Sequence, residues 1–503
     1  MSHHHEHDSL SPGLSRRELL TRAGQAAAAS VVALPLLEIG LDAVGAAAAP
    51  LTAIAGVDRI ALLSGKTYLN AWAGYGDPPR RGNRRPAPGA PPPPPPDPPG
   101  PTPTALWTKE RGPGAVTFAD PAAPVTTARF SAPGEYVLKL TLDNGQAQTS
   151  STLNVQVVPE PSLTSLDPIP TKRYRIDSPL WDRTARALIV NWIPHCIDQI
   201  NRTDLTQGPG GIDNFVEAAK ALAGQPHAAH KGYVFSNAWV HQTVESMCLA
   251  LMVDAKGDKD MLAAQARMRA TLDDWIPKIL AAQEPDGYLQ TAFTLRDMAP
   301  ATGVPAAARG PWTERWSPAA RGNHEGYVAG YFIESAINHY SMTAGADTRL
   351  YNGAKKLADC WCDNLGPAPK KSWFDGHQEM EQALVRFGRF VNQMEGGHKG
   401  DRYVQLAKFL LDSRAGGTEY DQSHLPVVQQ YEAVGHAVRA VYTYSGMADV
   451  AVETRDVDYQ SAVLSIWDNI VNRKYYVTGG VGSGETSEGF GPNYSLRNNA
   501  YCE

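Results

Sequence analysis

Between Leu51 and Val158 apolar residues recur at every second position. Tyr136, Leu138 and Leu140 alternate with Val137, Lys139 and Thr141, and Leu153, Val155 and Val157 alternate again beyond an Asn144-Gly145 pair. A period of two marks half-buried strands, and Asn-Gly tolerates the positive φ of a tight hairpin turn. Residues 51–160 therefore read as a small antiparallel β-sandwich. The prolines between Pro86 and Pro103 lack the N–H that a ladder needs, which predicts an extended, solvated loop there. Trp107, at the start of a strand pattern, is expected in the core rather than as a sugar platform.

Beyond a connector from Pro159 to Pro170 the period becomes 3.6. Met380, Ala383 with Leu384, Phe387, Phe390 with Val391, and Met394 share one helical face, and Tyr403, Leu406 with Ala407, and Leu410 do so after the Gly396-Gly397 break. Ten such segments are readable, near 178–200, 213–223, 236–254, 259–283, 325–343, 349–363, 376–394, 400–412, 428–446 and 459–473. Antiparallel helix pairs joined by short turns fit an α-solenoid or a closed toroid of hairpins.

Composition adds bounds. With 503 residues, 43% of them hydrophobic, and a net charge of −6, the chain can bury a large core in two domains plus a leader. The mild acidity gives no reason to expect nucleic acid. Ser15-Arg16-Arg17-Glu18-Leu19-Leu20, an apolar run from Ala26 to about Leu41 and small residues at Gly45–Ala49 read as a twin-arginine export signal over 1–49. Such a signal implies a periplasmic or secreted protein without a stable membrane anchor. The five cysteines, Cys196, Cys248, Cys360, Cys362 and Cys502, are scattered and suggest buried thiols rather than a disulfide framework. The histidines at 3, 4, 5 and 7 could bind metal adventitiously but precede the signal.

The chemistry gathers late in the chain. From Val477 to Glu503 glycines, two glutamates, two tyrosines and a cysteine describe a loop whose backbone can approach a ligand closely. Three segments, Gly322-Asn323-His324-Glu325, Gly376-His377-Gln378-Glu379 and Gly435-His436-Ala437, each put a histidine near a helix start. A single histidine there is more often a cap or core residue; three at comparable positions could meet around one ligand.

The order of these residues resembles glycoside hydrolase family 127, typified by β-L-arabinofuranosidase and once catalogued as a domain of unknown function. Thr478-Gly479-Gly480-Val481-Gly482-Ser483, then Glu488 and Phe490, then Tyr501-Cys502-Glu503 match the family's final motifs. His324, His377 and His436 match its sugar-binding histidines, and Gln283 to Leu289, with Tyr288, matches a Gln-x-x-Asp-Gly-Tyr-Leu segment read as the loop closing the pocket floor. The likeness covers about 175–503 and implies an (α/α)6 barrel over 165–503, two helices of which are not among the ten segments. The sandwich, from Trp107 to the Phe130–Tyr136 run, is similar to PKD-type immunoglobulin-like domains.

The resemblance also implies a mechanism. Glu488 would be the general acid/base, held in a partly apolar setting by Phe490, and His324, His377, His436 and Tyr288 would bind substrate. Glu503 would be the first ligand of a zinc ion (Zn) completed by three cysteines, one of them the thiolate nucleophile of a retaining reaction on an arabinose-containing glycan. Those cysteines match no residue here, so a partial catalytic domain, inactive and zinc-poor as it stands, is expected. Three departures bear on the sugar: Gly326 where the family usually has leucine, Tyr331 in place of a common histidine, and Leu496-Arg497-Asn498-Asn499 for Leu-Pro-Asn-Asp. Two other classes stay open. One is a different (α/α)-barrel polysaccharide-degrading enzyme, which would show a second carboxylate or a Tyr/His base facing Glu488. The other is a noncatalytic exported carbohydrate-binding protein, which would lack converging histidines.

Overall fold

The computed structural model describes residues 49–78, 100–161, 175–203, 210–297, 310, 312–484 and 488–498. The export signal, most of the proline-rich insertion, much of the connector, and Tyr501, Cys502 and Glu503 lie outside the described residues. The described residues from Pro50 onward form one compact unit.

Among the described residues nine strands build the sandwich. One sheet has the order β2 (Arg59–Leu62), β9 (Gln148–Val158), β8 (Gly134–Asp143), β5 (Thr104–Arg111); a second has β3 (Thr67–Asn70), β7 (Val125–Phe130), β6 (Val116–Phe118); β1 (Leu51–Ile54) pairs with β4 (Trp72–Tyr75). The β8–β9 hairpin turns at Asn144-Gly145, with Asp143 opposite Gln148. Leu138, Leu140, Leu153, Val155 and Trp107 fill the interior. The Tyr136 hydroxyl donates to Ala132 O at 2.8 Å and accepts from Gly114 N at 2.9 Å, closing one corner of the sandwich. The expectation of a purely antiparallel sandwich needs one correction, because β2 runs parallel to β9. An alternating pattern reports which face is buried and carries no information about strand direction.

The other edge of β2 is capped by a helix. Ser461 and Ser465, one turn apart on α12 (Val457–Arg473), accept from Leu62 N at 3.0 Å and Ile60 N at 2.9 Å, and Ser465 returns a bond to Ile60 O at 3.0 Å. This satisfies an exposed strand edge and docks the sandwich onto the helices.

The helices form successive hairpins. After α1 (Pro179–Ala187), a π turn at Leu188–Trp192 leads into α2 (Ile193–Ile200). Pro194 explains this break in the expected 178–200 helix, since its ring clashes with the carbonyl four residues earlier and the preceding turn widens. Next come α3 (Asp213–Leu222), α4 (Ser236–Met252), α5 (Lys259–Ala281), the short α6 (Thr291–Leu295), α7 (Glu325–Met342), α8 (Arg349–Asn364), α9 (Met380–Glu395), α10 (Asp401–Asp412), α11 (Ala437–Thr454) and α12. The helices α4, α7, α9 and α11 lie side by side, and α5, α8, α10 and α12 each back the one before. This is the layered order of an (α/α)-type barrel. Position dictates composition: α7 buries residues around most of its circumference, whereas α8 buries Leu350, Ala354, Leu357, Ala358 and Trp361 and turns Lys355 and Lys356 outward.

Two helix starts come later than their apolar spacing predicts. The 376–394 segment is helical only from Met380, and 428–446 only from Ala437, running on to Thr454. In the second case Gly435 has φ +76° and an added Cβ would lie 1.8 Å from Glu419 O, so the chain turns sharply instead of coiling. Among the described residues no helix is long and apolar enough to cross a membrane. The described cysteines are free, Cys248, Cys360 and Cys362 are buried, and burial raises the Cys362 thiol to about 11.

Candidate active site

The three delayed or irregular helix starts place the three histidines. His324 sits in the left-handed region (φ 56°, ψ 32°) immediately before α7. The Asp375 carboxylate accepts from Gly326 N at 2.5 Å and Tyr327 N at 3.1 Å in the first turn of α7, and its other oxygen accepts from His377 N at 3.0 Å. One buried carboxylate thus pins two histidine-bearing segments together. Arg414, completely buried, donates to Asp375 O at 2.9 Å and to Asp421 O at 2.7 Å and pairs with Glu381 at 3.2 Å, fixing that junction from behind.

His436 has extended backbone at the start of α11 and forms an antiparallel bridge with Gly489. Ala437 N donates to Glu488 O at 2.8 Å and Phe490 N to Gly435 O at 2.8 Å. The glycine-rich segment is therefore sewn along the start of α11, and this sets where Glu488 points. Its Oε2 lies 2.7 Å from His436 Nε2.

The ring centroids of His324 and His377 are 4.7 Å apart and those of His377 and His436 5.8 Å, so both histidines and the His436–Glu488 pair form one cluster. Tyr327 meets His377 edge-on at 4.4 Å, Phe235 lies 4.6 Å from His324 and Tyr420 lies 5.4 Å from His436. Burial holds all three imidazoles below their ordinary range, the positive charge of Arg439 adding to the effect, while Glu488 opposes it at His436. Neutral imidazoles can both donate to and accept from hydroxyl groups, which suits a polyhydroxylated ligand. His436 Nδ1 and His377 Nδ1 are buried without a hydrogen-bond partner among the described residues.

Tyr288 lies outside this cluster. It is 2% exposed, its hydroxyl donates to Glu325 Oε2 at 2.7 Å, and the Arg315 guanidinium stacks 3.9 Å over its ring. It braces the residue after His324 from behind. Phe490 does not give Glu488 the apolar setting expected of it. The Glu488 side chain is 40% exposed, whereas Phe490 packs against the helical core with Lys474 Nζ 5.9 Å from its ring. The bridge to Gly435 turns the two residues apart. Sequence reasoning passed over Asp375, Tyr327, Tyr420 and Arg414; for Asp375 the signal was present, since an Asp two residues before His377 in Asp-Gly-His favours the Asx turn it makes.

Glu503, the expected zinc ligand, lies outside the described residues, and among the described residues no group of three His, Cys, Asp or Glu side chains is arranged to hold a metal ion. These residues do not furnish a zinc site.

The catalytic-domain profile of β-L-arabinofuranosidase, glycoside hydrolase family 127, matches residues 175–503. A non-reducing end β-L-arabinofuranosidase of Bifidobacterium longum subsp. longum is 29% identical over 359 residues, covering 64% of this chain and 50% of that protein. Among solved structures, a family 127 β-arabinofuranosidase shares 36% identity at a TM-score of 0.54, covering 67% of this chain and 49% of that one. A β-L-arabinofuranosidase from Geobacillus stearothermophilus T6 shares 27% at 0.54, covering 65% and 49%. The chain spans about half the length of these relatives. The profile match over residues 175–503, well over half of its length, establishes that this chain belongs to glycoside hydrolase family 127.

Proposed function

We propose that the protein is an exported glycosidase that releases L-arabinofuranose, or a closely related sugar, from β-linked arabinosides with retention of configuration. The observation that carries this reading is the family 127 match over residues 175–503; the 2.7 Å contact between His436 Nε2 and Glu488 Oε2, which a Tyr/His-base enzyme would also show, supports Glu488 as the proton donor beside two further neutral histidines. A carboxyl group sharing a proton with a neutral imidazole can deliver that proton to a leaving glycosidic oxygen. His436 Nε2 then either accepts from the carboxylic acid or donates to the carboxylate, so the pair stays hydrogen-bonded in both protonation states. Because Glu488 is 40% exposed, solvent can restore its proton between turnovers. His324 and His377 would hydrogen-bond ring hydroxyls.

Zinc belongs to the proposal through the family resemblance alone, with Glu503 as a ligand; the proton transfer from Glu488 does not involve the metal. Export rests on the Arg16-Arg17 signal. The test is hydrolysis of an aryl β-L-arabinofuranoside by the whole gene product, with the product anomer followed by proton NMR. Retention, with turnover reduced about 10²–10⁴-fold in Glu488→Gln, is expected. Inversion, or full activity of that variant, overturns the reading.

A further inference from the structure

A second cleft, of about 400 Å³, lies between the sandwich and the helical domain. It falls within the roughly 300–1,000 Å³ usual for ligand sites. On the sandwich side it is lined by Arg59, Asn70 and Trp72, and on the helical side by Gln429, Tyr431 and Glu432. The family profile begins at residue 175, so half of this cleft is built by residues outside the family's catalytic domain.

The charged groups on its walls are already engaged. The Trp72 indole rests against the strand at Gly74, where an added Cβ would lie 3.0 Å from Cζ2, and its Nε1 donates to Gly76 O at 3.2 Å. Arg59 spends its guanidinium on Val57 O at 2.8 Å and Tyr68 O at 2.5 Å, stacked 4.4 Å from the Tyr431 ring centre. Glu432 pairs with Lys474 at 2.9 Å, and Glu419 and His424 are likewise engaged. Asn70 Nδ2 donates to Gln429 Oε1 at 3.0 Å, which leaves Asn70 Oδ1 as an acceptor and Gln429 Nε2 as a donor without partners among the described residues. An aromatic plate beside one free amide donor and one free amide acceptor, with the Arg59 guanidinium taken up by backbone carbonyls and Glu432 paired with Lys474, fits a neutral sugar ring, whose apolar face stacks and whose hydroxyls bond to amides.

The cleft also shares a wall with the active site. Glu419 lines it, while the next residue, Tyr420, packs 5.4 Å from the His436 ring and lies under the Arg439 guanidinium at 4.8 Å. We infer that this cleft is a second glycan subsite, which holds sugar units of an arabinose-containing chain away from the bond that is cut. The inference rests on the proposed function for the identity of the sugar.

Calorimetric titration of the 503-residue chain with L-arabinose and with a longer arabino-oligosaccharide tests it. The oligosaccharide is expected to bind more tightly than the monosaccharide. Trp72→Ala, and separately Asn70→Ala with Gln429→Ala, should weaken the oligosaccharide about tenfold and leave the monosaccharide unchanged. Because the amide variants leave Trp72 and its strand intact, a shared loss cannot come from a misfolded sandwich. Oligosaccharide affinity unchanged in both sets of variants, yet lost in His377→Ala, overturns the second subsite and leaves the proposed function standing. Binding of neither sugar, or a dimer that buries the cleft and binds no glycan, overturns the second subsite, while the proposed function stands or falls on the hydrolysis test.

Discussion

Gly435 links the fold to the site, and replacing it by alanine separates two costs. Its φ of +76° charges any L-residue about 1–2 kcal/mol. The added Cβ would also lie 1.8 Å from Glu419 O and 2.5 Å from Glu419 C, an overlap with backbone that no rotamer relieves. Overpacking of this kind costs about 1–3 kcal/mol more. Gly416 is the control, with φ +72° and nothing within 4 Å of its added Cβ, so Gly416→Ala carries only the first cost. Thermal unfolding of both variants should show the larger drop for Gly435→Ala, at about 1 °C for each kcal/mol of difference in a unit of this size. The residue also precedes His436 and accepts from Phe490 N, so calorimetry with an L-arabinofuranoside should find binding weakened by Gly435→Ala and not by Gly416→Ala. Equal melting temperatures and equal sugar affinities would refute the described seating of this loop.

Arg414→Met leaves Glu381 buried without its partner and should destabilise by about 3–5 kcal/mol, measured by denaturant unfolding. Ser461→Ala with Ser465→Ala removes the cap on β2 and should cost about 0.5–1.5 kcal/mol per hydrogen bond, seen as earlier proteolysis within the sandwich. The pH dependence has two arms. Burial raises Glu325 from 4.5 to about 8, so the folded state keeps a proton the unfolded chain loses, and stability falls as pH rises through that window. Burial lowers His230 and His241 from 6.5 to about 3, so their contribution is lost as pH falls through that range; Glu325→Gln should flatten the alkaline arm of melting temperature against pH and leave the acid arm in place.

The β-hairpin at Asn144-Gly145, the buried Trp107 and most helices were legible because each rests on local chemistry that periodicity or a turn pair reports directly. The parallel β2–β9 pairing was not, since it depends on which edge Ser461 and Ser465 cover. The start of α11 was misplaced because Tyr431 and Val434 continue an apolar spacing while the Glu419 carbonyl, distant in sequence, forces the turn at Gly435. In the site, the positions of His324, His377 and His436 at helix starts made them candidates, and the family resemblance singled them out. What gathers them, Asp375 beneath two segments and Arg414 behind it, is tertiary and left only an Asx-turn signature in the sequence.

The most direct test of the site is a crystal structure of this chain with methyl β-L-arabinofuranoside. The expected result is a furanose ring within hydrogen-bond reach of His324, His377 and His436, with its glycosidic oxygen facing the Glu488 carboxyl group. A sugar bound away from these four residues, or bound among the histidines with its glycosidic oxygen turned from Glu488, would contradict the assignment.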